Sequence, residues 1–96
     1  MSYELQFLPS ALKEWNKLGA TLQLQFKKKL NERLAQPHIV ADVLHGMPSH
    51  YKIKLRSAGY RLVYRVDDTT VTVTVVAVGK RERNAVYKSA QKRADP

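Results

Sequence analysis

Cysteine is absent from the 96-residue chain, so it has neither disulfides nor thiolate metal sites. That fits a reducing compartment, and a cytoplasmic location is expected. Long apolar runs are missing too. No stretch approaches the ~18 residues that a membrane span needs, and no membrane partner is expected. The opening residues, Met1-Ser2-Tyr3-Glu4-Leu5-Gln6-Phe7, show no basic region followed by an apolar run, so no secretory signal is expected. Acidic side chains are scarce: 8 Asp+Glu stand against 17 Lys+Arg, a net charge of +9. On so short a chain this surplus attracts polyanions such as nucleic acid or an acidic protein. Solubility alone is the plainer explanation, and the placement of the charges argues against it.

What is present reads as globular, with 44% hydrophobic and 26% charged residues. No repeat, linker or low-complexity tract divides the chain, so a single domain over 1–96 is expected. Tyr3, Leu5 and Phe7 alternate with polar residues, as in a short half-buried strand. Pro9 suits the first turn of a helix, along which Leu8, Ala11, Leu12, Trp15 and Leu18 follow at helical spacing up to Gly19. Thr21 is the expected N-cap of a second helix, with Leu22, Phe26, Leu30 and Leu34 as its buried stripe and Gln36-Pro37 as its end. Residues 38–48 read as irregular.

From Tyr51 the period changes to two. Tyr51, Ile53 and Leu55 alternate with Lys52, Lys54 and Arg56. A turn at Ser57-Ala58-Gly59 leads into Tyr60, Leu62, Tyr64 and Val66, which alternate with Arg61, Val63 and Arg65. After a turn at Asp67-Asp68-Thr69, Val71 to Val78 is almost wholly apolar and should be the central strand. Residues 84–93 read as a short helix with Ala85, Val86 and Ala90 as its apolar face and a polar, fraying tail. The expected fold is α+β: an N-terminal strand, a two-helix hairpin, then an antiparallel β-meander packed on the helices, and a short C-terminal helix.

The cations are clustered. Between Asp42 and Asp67 the chain has no acid, but it holds Lys52, Lys54, Arg56, Arg61 and Arg65, with His45 and His50. Strand parity places all five cations on one hairpin face, with alternate residues ~6.6 Å apart and strands ~4.8 Å apart. Like charges brought together cost free energy, and an anion among them removes the cost. Lys80-Arg81-Glu82-Arg83 begins where the buried strand ends and can lie beside this hairpin. Tyr87 follows in a polar segment, where an exposed ring can stack on a base. Lys27-Lys28-Lys29 points around a helix in three directions and reads as solvated surface. Trp15, Tyr51, Tyr60 and Tyr64 read as core. His38, His45 and His50 lack zinc spacing, the serines lack a triad context, and the acids lack a two-metal motif. No metal and no cofactor are expected.

Three stretches carry a resemblance: 11–19 (Ala11-Leu12-Lys13-Glu14-Trp15 with Lys17-Leu18-Gly19), 51–64 (Tyr51 to Ser57 and Gly59 to Tyr64), and 78–87 (Val78-Gly79-Lys80-Arg81-Glu82-Arg83 with Val86-Tyr87). Over almost its whole length the sequence resembles the RelE toxins of bacterial toxin–antitoxin pairs, within the RelE/ParE superfamily. The resemblance implies a ribosome-dependent endoribonuclease that cuts mRNA in the A site of the small subunit, in contact with rRNA. It also implies neutralisation by a cognate antitoxin, and operator DNA binding by the toxin–antitoxin complex. The family's active-site residues fall on Lys52, Lys54, Arg61, Arg81 and Tyr87. ParE-like gyrase inhibitors lack this set. Arg56, Arg65, Lys80 and Arg83 are expected to contact RNA, as is His45, where a relative carries arginine.

RNA supplies its own nucleophile, the 2′-hydroxyl. The expected roles are Arg61 and Lys52 on the phosphate, Lys54 as base with its pKa lowered by neighbouring cations, Arg81 stabilising or protonating the leaving group, and Tyr87 stacked on a base or, alternatively, moving a proton. Two other classes fit the basic face: a module that binds nucleic acid without cutting it, and a ParE-like inhibitor of DNA gyrase.

Overall fold

The chain, seen in a computed structural model that describes residues 2–94, alternates strands and helices in an order set by its hydrophobic periods. Met1, Asp95 and Pro96, the ends of the expected 1–96 domain and of its fraying tail, lie outside the described residues. The elements are β1 (Glu4–Phe7), α1 (Pro9–Asn16), α2 (Ala20–Ala35), β2 (His50–Leu55), β3 (Tyr60–Asp67), β4 (Thr72–Lys80) and α3 (Ala85–Ala94). Single 3-10 turns lie at Val40–Asp42 and Glu82–Asn84. Pro9 opens α1, as expected. The second helix starts earlier than expected: Gly19, in an extended conformation, takes the N-cap position, and Thr21 lies inside the first turn.

The sheet has the order β1-β4-β3-β2. The hairpins β2–β3 and β3–β4 are antiparallel, so β4 is interior. β1 pairs with β4 in parallel, with Phe7 opposite Val75, which adds a parallel edge to the expected antiparallel meander. The reason is topological. The helical hairpin carries the chain across one face to the far edge, which leaves β1 on the only other open edge.

Alternation then sorts the side chains. Ile53, Leu55, Leu62, Tyr64, Val66, Val73, Val75 and Val78 form one core with Ala11 and Trp15 of α1 and Phe26 and Leu30 of α2. The opposite face carries a second, smaller core of Val63, Val76, Ala77 and Met47 under Val86 and Ala90 of α3. The C-terminal helix therefore covers part of the other face. A bulge between Val63 and Tyr64 in the β3–β4 register lets the adjacent Val76 and Ala77 both turn toward α3.

β1 is too short to pair all of β4. Where it runs out, side chains finish the strand's hydrogen bonding: the Val78 N–H donates to Glu14 Oε1 at 3.1 Å, and Arg93 Nη1 donates to Val76 O at 2.8 Å. Arg93 and Glu14 also pair with each other at 2.8 Å, tying the end of α3 to α1.

Candidate functional site

Lys52 and Lys54 project from β2 on the face that α3 only partly covers, and Arg61 of β3 stands directly across from Lys54. Beyond Arg61 the next strand offers only Gly79, so no side chain stands opposite it there. Arg61 is 5% exposed, and Nη1 donates to Tyr60 O at 2.9 Å. A guanidinium carries five N–H donors, and Nη1 holds one of Arg61's to the backbone of its own strand.

The Lys54 ammonium is held below the ordinary lysine range. Lys52 is the main cause and Arg56 the next, with partial burial and Arg61 adding and Asp42 opposing. Asp42, the nearest acid, is taken up by Arg33 Nη2 at 2.6 Å. Arg33 also donates to Lys52 O and Tyr64 Oη, so a side chain of α2 fixes β2 from behind. Arg33 was not legible from the sequence, because its partners lie 9, 19 and 31 residues away.

The second basic run does come alongside. The Arg81 N–H donates to Gly59 O at 2.9 Å, tying the loop after β4 to the β2–β3 turn. Gly59 turns that corner at φ +70°, which glycine adopts freely. Arg83 and Asn84 both sit in the left-handed region, at φ 53° and 56°. For arginine that backbone is strained, and such residues concentrate where a loop is held for function.

Three hollows share walls around these residues. Arg56, Lys80, Arg81, Arg83 and Asn84 line a cleft of about 620 Å³. Arg56 and Lys54 also line a second, together with Lys29 and Gln25 of α2. Asn84, Lys52 and Tyr87 line a third. Lys52, Lys54, Arg56, Lys80, Arg81, Arg83 and Tyr87 are thus gathered on one surface, and Arg61, nearly buried, joins them through its place across from Lys54. Lys29, exposed as its sequence reading has it, lines the second hollow beside them. Tyr87 is half-buried against the second core instead of fully exposed, because α3 packs down on Val63 and Ala77.

Two expected contacts stand off this centre. Arg65 shares the face but pairs with His50 at the far end of the hairpin, about 13 Å along the strand from Arg61. His45 is exposed at a flank, in a separate hollow that meets the Tyr87 hollow at Leu44. No helix among the described residues is long and apolar enough to cross a membrane.

A cationic surface that faces one flat ring suits a phosphodiester of a single-stranded nucleic acid, and comparison with known proteins defines the class. The family model for the ParE toxin of type II toxin–antitoxin systems matches residues 5–85, and the chain belongs to this RelE/ParE toxin family. It is 60% identical to the mRNA interferase toxin RelE of Escherichia coli strain K12, over 97% of this chain and 98% of that one. A solved free-state structure of an E. coli RelE toxin bearing two arginine-to-alanine substitutions is 58% identical and covers 97% of this chain and 98% of its own, with a TM-score of 0.90. The toxin in the intact E. coli RelBE toxin–antitoxin complex is 60% identical with a TM-score of 0.83, over 85% of this chain and all of that one.

Proposed function

We propose that this chain is a single-domain toxin that cuts mRNA in the A site of the ribosome, in contact with rRNA, and so stops translation. Its relatives named as mRNA interferases support the class. The observation that carries the mechanism is the Lys54–Arg61 cross-strand pair, flanked by Lys52, with the Arg81 loop and Tyr87 on the same surface. Relatives solved with RelB antitoxin support neutralisation by a cognate antitoxin. Operator binding by that complex and a cytoplasmic location complete the reading.

In the proposed reaction the 2′-hydroxyl gives its proton to the neutral Lys54 amine, and its oxygen bonds to phosphorus. Arg61 and Lys52 stabilise the charge that builds on the phosphorane. The bond from phosphorus to the 5′-oxygen breaks, and that oxygen, its charge stabilised by the Arg81 guanidinium, takes a proton from a solvent water. The products are a 2′,3′-cyclic phosphate and a 5′-hydroxyl. Tyr87 stacks on a base to hold the strand in line. Arg56, Lys80, Arg83, Arg65 and His45 serve as RNA contacts around this centre. A lysine near neutral pH is a poor base even when its pKa is lowered, so precise holding of the substrate by the ribosome supplies the rest.

The test is primer extension on programmed ribosomes with an empty A site, with wild type beside Arg81→Ala. Wild type should stop extension within the A-site codon. Arg81→Ala should cut at least about a hundredfold more slowly with unchanged thermal stability. Full activity of that variant removes Arg81 from the mechanism. Intact message with wild type bound to ribosomes moves the reading to a binding module, and loss of gyrase supercoiling activity moves it to a ParE-like inhibitor.

A further inference from the structure

The hollow that holds Tyr87 differs in chemistry from the arginine cleft beside it. Its walls are Leu44, Lys52, Asn84, Tyr87, Lys88 and Gln91, around about 420 Å³. The arginine cleft has no aromatic ring and four cations, Arg56, Lys80, Arg81 and Arg83, against one acid, Glu82, and so suits phosphate. The Tyr87 hollow combines an aliphatic group, an aromatic ring, two carboxamides and two ammonium groups. An apolar slot with a ring accepts another flat ring. A carboxamide offers both donor and acceptor, which is what reading a base edge needs. Neither Asp nor Glu lines the hollow, so nothing there repels an anionic strand.

Packing fixes this arrangement. Tyr87, Lys88 and Gln91 share one side of α3, the pair Tyr87 and Gln91 at i and i+4, and Asn84, in the left-handed turn before the helix, lines the same hollow. Val86 and Ala90 on the neighbouring face are 3% and 0% exposed, which holds the helix in rotation. Asn84 sits at φ 56°, a backbone that asparagine tolerates, and lines both the cleft and the slot.

We propose that the hollow is a nucleobase subsite in which Asn84 and Gln91 read the base edge and so determine which A-site codons are cut. Lys88 holds a flanking phosphate. The inference rests on the endonuclease reading above and names its specificity-determining side chains.

The experiment measures single-turnover cleavage of a set of programmed ribosomes that differ only in the A-site codon. Wild type is compared with Asn84→Asp and Gln91→Leu. Aspartate keeps the shape and the left-handed backbone but loses the NH2 donor; leucine keeps the volume and has no edge to offer. The ratio between favoured and disfavoured codons should change by about fivefold or more. Asn84→Asp should shift it toward bases that present a donor. Uniform slowing of every codon by each variant overturns the proposal, because it shows that the hollow holds backbone only. If wild type cuts no codon, the endonuclease reading fails and the subsite is judged separately, from the side-chain amide NMR signals of Asn84 and Gln91 during titration with AMP, CMP, GMP and UMP. Shifts that depend on the base support the subsite, and identical shifts for all four overturn it.

Discussion

The two faces of the sheet are written by the same few strands with opposite chemistry. Along β2, Tyr51, Ile53 and Leu55 turn to the layer of α1 and α2, while Lys52 and Lys54 turn the other way. Both helices of the hairpin bury side chains in the first core, which includes Phe26 and Leu30 at 0% and 1% exposure. The second face is covered only in part. Val63, Ala77, Val86 and Ala90 pack under α3, and the rest is left to cations. The first face supplies stability from apolar burial, and the second gives some of it up by gathering like charges. The difference separates what keeps this chain folded from what it does with RNA, and substitutions can test that separation.

The largest effect should come from the cationic face. Lys54→Met should lower cleavage by about 10²–10⁴-fold, the usual contribution of a positioned proton-transfer group. Its thermal midpoint should hold or rise slightly, because Lys52, Arg56 and Arg61 lose a like-charged neighbour. A destabilised Lys54→Met would show the two faces to be coupled. The mirror-image substitution is Phe26→Ala, which should lower stability by about 3–5 kcal/mol in urea titration. Its cleavage rate per folded molecule should stay at the wild-type value. A catalytic defect in the folded fraction would break the comparison from the other side.

Much of this division is legible in the sequence, and the exceptions have physical causes. The alternation of Tyr51 to Arg56 and of Tyr60 to Val66 states both faces of the hairpin outright. Val71 to Val78 does not, because a run that is apolar on both sides hides its parity, and the bulge that turns Val76 and Ala77 the same way leaves no trace in composition. Val71 itself lies outside the strand, at φ 53°, despite its β-branched side chain. The site was legible where its residues alternate on strands. It was not legible where partners meet across the fold, as Lys29 does with Lys54 and Arg56, and as Arg33 does with Asp42. The side of α3 that carries Tyr87 and Gln91 was written at helical spacing, but only the seating of Val86 and Ala90 shows where it points, and the left-handed turn that brings Asn84 beside it left no mark.

A finer test stays on the cationic face. Lys52 is the main cause of the lowered Lys54 pKa, so Lys52→Met should move that pKa up toward the ordinary lysine range. Cleavage that depends on neutral Lys54 should then need more alkaline conditions, with its rising limb displaced to higher pH. A limb that stays in place while the rate falls would leave Lys52 as a phosphate ligand and assign the base elsewhere.

The smallest effect concerns a side chain that crosses the division. His50 begins β2 on the face of Lys52 and Lys54 but is buried, at 5% exposure. With Nδ1–H donating to Pro48 O at 2.8 Å, Nε2 is a bare lone pair sealed from solvent without a partner. Burial holds its pKa below the ordinary histidine value, with Arg65 adding and the Pro48 bond opposing. As pH falls, the unfolded chain therefore takes up this proton before the folded chain does. The contribution to stability is full above about pH 6.5 and is lost as pH falls from there toward the folded value. His50→Gln removes the titrating group and keeps a polar side chain of similar reach. Its urea midpoint at pH 7.5 should lie below that of wild type, and the gap should narrow at pH 5.5. Groups that titrate elsewhere, such as Asp68, are present in both proteins and cancel in the difference. Parallel curves would show that His50 carries no pH-dependent stability, leaving the lysines and arginines as the only groups on this face whose charge state matters.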